Sequence, residues 1–420
     1  MSSPAGHRRT AAVVTVVGAA GFAVLALLLI PWHPLPDGRH LVDVPAGRYF
    51  SAAELRRASA YADPQRAISL ASYAVSLLVS LVLGLTRLGS GLLGRLRGWW
   101  WVRVVVGSFL LLLVGELVTL PFGLALHHRA VVAGLSTQDV AGYLHDDLLN
   151  LLVGTVYTAL AAIVLIGLAR RLPRTWPAWA ALVSGLLVVL GSFVYPVLVE
   201  PLFNSFTPLP DGALRTSILR LAATEHVQVD DVLVADASRR TTTLNAYVTG
   251  FGATRRVVLY DNTVKDLPQD QVEAIVAHEL GHASHDDVLT GTVLGALGAA
   301  AGIGLLGLLL SSGGLLRRSG ATGAADPRVL ALLLALSAVG TFAASPVENA
   351  ASRAIEARAD RSSLLATHDV PAFVAMQKRL DVAALAEPDP PAVTQFWFGT
   401  HPTTLQRIGM GLAMRDEVAR

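Results

Sequence analysis

The chain has 420 residues, of which 53% are hydrophobic and only 15% charged, against about 25% charged in an ordinary soluble domain; its mean hydropathy is +0.53. It contains no cysteine, so disulfides, thiolate zinc sites and cysteine nucleophiles are excluded together, and any metal must be held by His, Asp or Glu. A net charge of +2 leaves no nucleic-acid footprint, and the composition as a whole is that of a membrane protein.

A helix that crosses a bilayer needs about 20 mainly apolar residues. Seven segments meet that requirement: residues 11–30, 67–85, 104–126, 148–168, 177–199, 290–310 and 329–347. Trp99, Trp100, Trp101, Trp176 and Trp179 stand at segment ends, where interfacial aromatics belong. The first segment is long for a signal peptide and runs into Pro31-Trp32-His33-Pro34 instead of small residues, so it reads as an uncleaved span. On one side of the membrane lie Arg8 and Arg9, then Arg87, Arg95, Arg97 and Arg103, then Arg170, Arg171 and Arg174, then Arg317, Arg318 and Arg328. The positive-inside rule makes that side cytoplasmic. The long first loop carries five arginines on the other side, and the orientation stays open. Glu116 falls inside the third span, where a carboxylate calls for a polar cavity or for reach to the interface.

The chain divides into five spans with their loops (1–199), a polar segment (200–289), spans six and seven (290–347) and a C-terminal part (348–420). In the polar segment, Leu214, Ile218, Leu221 and Ala222 recur at helical spacing and predict a helix over 213–226. Two β-rich runs follow, 231–235 and 255–260, with the extended TTTLNAYVTGFG between them. Another helix starts near Gln269. The C-terminal part reads as helical, with a Pro-rich interruption at 387–391, and no internal repeats are visible.

Residues 278–282 read HELGH. Residues four apart share a helix face, so His278 and His282 can reach one ion. Glu279 projects about 100° away on the same turn, off the metal but beside the water a metal would activate, where it can take a proton. Val272, Ile275, Val276, Ala277 and Leu280 make the remainder of this helix core-like, which separates the motif from a chance string. A third ligand is then required. Asn349, Arg353, Glu356 and Asp360 are spaced 4, 3 and 4 residues apart and share one helical stripe. The stripe is either a solvated face outside the membrane or a ligand helix facing HELGH, with Glu356 on the metal and Asp360 orienting a ligand histidine. His285, seven residues after His278, is a rival ligand, but three histidines along one helix diverge from one ion. His285 and Asp286 are therefore expected near the site and off the metal.

The residues resemble the type I CAAX prenyl endopeptidases, a family of integral-membrane zinc metalloproteases. The resemblance rests on PLFNSFTPLPDGALR (201–215), SRRTTTLNAYVTGFGATRRVVLYD (238–261), HELGH, NAASRAIEARAD (349–360) and HPTTLQRI (401–408), which occur in family order over about half the chain. It implies a mainly α, polytopic fold: about seven transmembrane helices around a chamber, with a small β-containing metalloprotease segment. It implies one zinc ion per chain on His278, His282 and Glu356, with Glu279 as general base and His401 stabilising the oxyanion. Asn245, Ala246, Tyr247 and Gly250 would belong to an edge strand that pairs with the substrate. Asn349, Arg353, Asp360 and Arg407 would orient ligands or touch substrate. The partners implied are a peptide or protein substrate, lipidated or membrane-associated, and the lipid bilayer, without nucleic acid. The richness in Arg over Lys, and in Ala, Gly and Val, suggests a GC-rich bacterial genome and hence a bacterial plasma membrane. Bacteria are not expected to carry prenylated CAAX proteins, so the activity transfers better than the substrate. A broad quality-control protease and a non-catalytic peptide-binding membrane protein are the alternatives. A transporter would need paired broken helices, which the sequence lacks.

Overall fold

The structure, a computed structural model, describes residues 5–36 and 38–419. The first half contains α1 (Ala5–Leu29), α2 (Ala52–Leu85), α3 (Trp100–Val132), α4 (Val140–Arg171) and α5 (Trp176–Val194). The polar segment follows, with β1 (Phe206–Pro208), α6 (Ala213–Thr224), β2 (Asp231–Ala235), β3 (Ala246–Thr249), β4 (Arg256–Tyr260) and α7 (Gln269–Ser284). Then come α8 (Asp287–Leu309), α9 (Leu330–Thr367), α10 (Val370–Ala384), α11 (Ala392–Phe398) and α12 (Thr404–Ala413). Seven of these helices, α1 to α5 with α8 and α9, are long and apolar enough to cross a membrane. The chain is an integral, multi-pass membrane protein.

The spanning helices close into a ring of neighbours, α8–α5–α4–α3–α2–α9 and back to α8, with α1 outside against α8 and α5. Only 6% of the apolar window is buried in each of α2, α3 and α5, against 33% in α4 and α9. Protein therefore covers little of the surface of α2, α3 and α5 and more of α4 and α9. Small residues let α1 and α8 meet backbone to backbone. A Cβ on Gly18 would stand 2.6 Å from the Ala301 nitrogen.

Several helices exceed the apolar segments that announce them. α2 begins at Ala52, not near residue 67, because Ser51 and Glu54 form a reciprocal capping box. At 34 residues it is about 51 Å long, well beyond the ~30 Å hydrocarbon core, so its first turns stand clear of the bilayer. There Arg66 pairs with Asp63 and with Glu387 of the C-terminal part. α9 likewise runs unbroken through Pro346 and across residues 347 and 348, so the last span and the polar stripe form one rigid rod.

The four strands lie in the order β1-β2-β4-β3, with β2 and β4 parallel and the outer pairs antiparallel. β3 is therefore an edge strand, hydrogen-bonded on one side only. Ile218, Val232, Leu259, Val276, Leu280 and Phe373 join α6, the sheet, α7 and α10 in one core. That core fixes α7 against β3 on one side and α9 on the other.

Candidate active site

α7 starts directly after Pro268, whose fixed φ suits a helix N-terminus. It carries His278, Glu279 and His282 toward α9. The glycine of HELGH explains how closely the two helices approach. A Cβ on Gly281 would lie 2.7 Å from the Ser362 Cβ, so only glycine admits α9 at this distance. Two turns earlier on α7, the Ser363 hydroxyl donates to the Ala274 carbonyl at 2.7 Å. This contact brings Glu356 opposite the two histidines.

Three ligand atoms converge there. His278 Nε2 lies 3.1 Å from Glu356 Oε2 and 3.2 Å from His282 Nε2, and His282 Nε2 lies 3.6 Å from Glu356 Oε1. The other nitrogen of each ring is held by a carboxylate. His278 Nδ1 is 3.0 Å from Asp360 Oδ1, and His282 Nδ1 is 2.9 Å from Asp287 Oδ2. With Nδ1 donating to a carboxylate, each imidazole turns the Nε2 lone pair toward the same point, which is how ligating histidines are oriented. The charges agree. Glu279, Glu356, Asp360 and Asp287 surround the point, and among the described residues Arg407 and Arg358 pair with two of them; the shortfall of positive charge suits a bound cation. The same shortfall affects the histidines. Burial opposes the imidazolium of His282, but hydrogen bonds to Asp287 and Glu356 outweigh it and push its pKa up to about 10. His278 is raised for the same reason by Asp360 and Glu356. A bound cation satisfies these carboxylates without protonating either ring. The residues present thus fit a metal, and His278, His282 and Glu356 would hold it.

Glu279 stays out of the converging trio. It lines the adjoining cavity, and burial lifts its carboxyl above the ordinary range, with His278 and His282 opposing. His401 comes from the loop after α11. Its Nε2 lies 3.3 Å from Glu356 Oε2, and its side chain is 56% exposed on the same cavity. Two residues of the α9 stripe clamp this loop. Asn349 donates to the Trp397 carbonyl at 2.8 Å, and Arg353 donates to the carbonyls of Gln395 and Gly399 at 3.2 and 2.6 Å. Arg407 donates to both Asp360 oxygens, Nε to Oδ2 at 2.8 Å and Nη2 to Oδ1 at 2.5 Å.

A cavity of about 550 Å³ lies on the far side of Arg353 and Arg407, and the one that Glu279 and His401 line, on the histidine side, has a volume of about 510 Å³. The second is bounded by Asn245, Ala246, Val248 and Gly250 of the β3 edge, with Phe251 and Leu289 supplying apolar surface. Tyr247 lies on the same edge strand. Strand residues alternate between faces, so its ring turns away from this cavity and meets Tyr260 edge-on at 6.5 Å. His285 caps α7 with Nδ1 2.8 Å from the Gly281 carbonyl, and Asp286 pairs with Arg255 at 2.6 Å, so both stay off the trio. Glu116 faces Asp147 of α4, away from the trio.

Sequence reasoning missed Asp287 and Arg358, which are ion-paired to each other behind His282. The only available signal was the Asp pair following His285. Asp286 adopts a left-handed conformation (φ 51°, ψ 41°), and that sharp turn folds Asp287 back. Asp287→Asn should weaken metal affinity about 10–100-fold, read by chelator competition, with the fold retained. Beneath Arg407, burial pushes the Asp381 carboxyl up to about 6, against a hydrogen bond from Thr404 and the charge of Arg407. A carboxyl raised in the folded state gives stability below its unfolded pKa, near 4, that is lost as pH rises through about 6. Asp381→Asn should therefore raise the melting temperature at pH 7.5 and flatten the decline between pH 4 and 6, worth roughly 2–3 kcal/mol.

A ring of membrane-crossing helices that carries a His-Glu-His-Glu cluster beside an open strand edge defines an integral-membrane metallopeptidase. Sequence comparison agrees: the model of peptidase family M48 matches residues 208–410, and that of the CAAX prenyl protease N-terminal region, five membrane helices, matches residues 39–205. The chain belongs to the CAAX prenyl protease branch of peptidase family M48, and it is a membrane metalloendopeptidase. It is 29% identical over 409 residues to the uncharacterized metalloprotease YhfN of Bacillus subtilis, covering 93% of this chain and 95% of that one. CAAX prenyl protease 1 of Saccharomyces cerevisiae is 42% identical over 95 residues, 22% of this chain and 21% of the yeast protein. The crystal structure of Saccharomyces mikatae Ste24p shares the fold, with a TM-score of 0.75 at 19% identity over 96% of this chain and 99% of that one.

Proposed function

We propose that the metal is zinc, held by His278, His282 and Glu356, and that the protein cleaves extended segments of membrane-associated polypeptides within a bacterial plasma membrane. The observation that carries this reading is the convergence of two carboxylate-backed Nε2 atoms and Glu356 beside the free edge of β3. Two histidines and a carboxylate, with no thiolate in the chain, are a catalytic zinc set. When bound, zinc supplies Lewis acidity, polarising a carbonyl and lowering the pKa of water to about 7.

The chain's own residues do the remaining work. A peptide laid along β3 pairs its backbone with the strand edge, which orients the scissile carbonyl while tolerating varied side chains. Glu279 takes a proton from the attacking water, its raised pKa suiting a base that must later release the proton. His401 donates to the carbonyl oxygen as negative charge gathers there. When the C–N bond breaks, Glu279 returns the proton to the departing amine. Asn349 and Arg353 keep the His401 loop in place, and Asp360 with Arg407 keeps His278 in line.

The named activity of the yeast relative concerns prenylated CAAX proteins, but that likeness spans about a fifth of each chain. Substrate preference is tested with purified enzyme on matched peptides, prenylated and plain. Cleavage of both at similar kcat/KM supports recognition through the β3 edge; strict dependence on the prenyl group would replace it with recognition of the lipid.

A further inference from the structure

We infer that Thr400 is a positioning residue for the reaction: its hydroxyl donates to Nδ1 of His401 and keeps the ring proton on Nε2, the atom that meets the oxygen of the scissile carbonyl. The inference rests on the peptidase reading and on the part His401 plays in it. A neutral imidazole carries one proton, and the partners of its two nitrogens decide which one holds it. His401 Nε2 lies 3.3 Å from Glu356 Oε2. An ionised carboxylate can only accept, so it favours the proton on Nε2. Nδ1 then presents a lone pair, and the group that faces it, at 2.9 Å, is Thr400 Oγ1. A hydroxyl can donate or accept; toward a bare nitrogen it donates.

The chemistry of these partners sorts the three histidines of the site. His278 and His282 each face a carboxylate with Nδ1, which fixes the proton there and leaves Nε2 as a lone pair for a metal. His401 has the reverse arrangement, a carboxylate at Nε2 and a hydroxyl at Nδ1, which makes Nε2 a donor. With the opposite tautomer, a lone pair on Nε2 would face the negative charge gathering on the carbonyl oxygen. The backbone around the pair is fixed by other groups. The Gln395 amide donates to the His401 carbonyl at 2.6 Å, and Arg353 holds the Gly399 carbonyl. A Cβ on Gly399 would collide with the Gln395 amide, so glycine is what lets that side chain reach across the loop. Pro402 restricts the backbone of His401 from the other side. What the backbone leaves free is the half-exposed imidazole itself. Among the described residues Thr400 Oγ1 makes no other hydrogen bond, so its one bond restrains the ring and sets the tautomer together.

Two measurements on the purified full chain test this. The first needs no activity. In nitrogen-15 NMR of histidine-labelled protein, the signals missing from His401→Ala belong to His401. They should report a proton on Nε2 in the wild type and in Thr400→Ser, and a mixture of tautomers in Thr400→Val. A proton on Nδ1 in the wild type, or the same tautomer in Thr400→Val, overturns the inference whether or not the protein cleaves peptides. The second is a kinetic cycle. Thr400→Val should lower kcat about 3–10-fold, the loss of one neutral hydrogen bond, with KM and metal content unchanged, and Thr400→Ser should restore it. His401→Ala should lower kcat about 10²–10³-fold, as removal of an oxyanion donor does. The double variant should be no slower than His401→Ala, because Thr400 acts only through that ring. Losses that multiply in the double variant, or a Thr400→Ser enzyme as slow as Thr400→Val, would give Thr400 a merely structural part and overturn the inference. His401→Ala at the wild-type rate would remove the oxyanion reading and this inference with it. A slow His401→Ala beside an unimpaired Thr400→Val overturns this inference alone.

Discussion

Glu279→Gln should lower kcat by roughly 10²–10⁴-fold, the usual contribution of a positioned acid–base group, while leaving metal content and KM unchanged. The side chain is isosteric and lies outside the converging trio of His278, His282 and Glu356, so the metal keeps its ligands. The β3 edge that would hold the peptide is untouched. What is lost is the only carboxylate on the cavity wall with a raised pKa and no ion-pair partner of its own. Steady-state kinetics and metal analysis on the same preparation check this. A variant that cuts at the wild-type rate would place the base elsewhere.

Asp360→Ala should damage two properties at once. Asp360 is fully buried, holds His278 Nδ1 at 3.0 Å and takes both hydrogen bonds of Arg407. Removing it leaves a buried guanidinium without its counter-charge, which costs about 3–5 kcal/mol of stability. It also frees the His278 ring, which should weaken metal affinity about 10–100-fold. The double variant Asp360→Ala/Arg407→Leu separates the two effects. It removes the orphaned charge, so thermal stability should largely return while metal affinity stays low. Recovery of both would mean that Asp360 acts on the site only through the fold.

The spans and the HELGH helix were legible because each depends on local pattern: a run of apolar residues long enough for a bilayer, and a pair of histidines four apart. Helix lengths were less legible. The 15 residues that α2 adds before its apolar run carry five charges and a proline, and only the Ser51–Glu54 capping pair marked its start. Glu356 could be placed on a helical stripe, but its meeting with His278 depends on Gly281 admitting Ser362, a contact 81 positions apart in the chain. Asp287 was illegible because a left-handed turn at Asp286, not helical spacing, returns it to His282. Asn349 and Arg353 were placed near the site on the same stripe. Their hold on the His401 loop required knowing where residues 395–399 dock. Tyr247 was grouped with its strand neighbours, yet the alternation of strand faces sends its ring the other way.

The most direct test of the central claim is metal analysis of the purified protein combined with zinc-edge absorption spectroscopy, before and after chelation. The account predicts one zinc per chain, coordinated by two imidazoles and a carboxylate, with peptide cleavage abolished by chelation and restored by stoichiometric zinc. Glu356→Gln should lose both the metal and the cleavage. Cleavage that persists in the metal-free protein, or a zinc signal unchanged in Glu356→Gln, would contradict it.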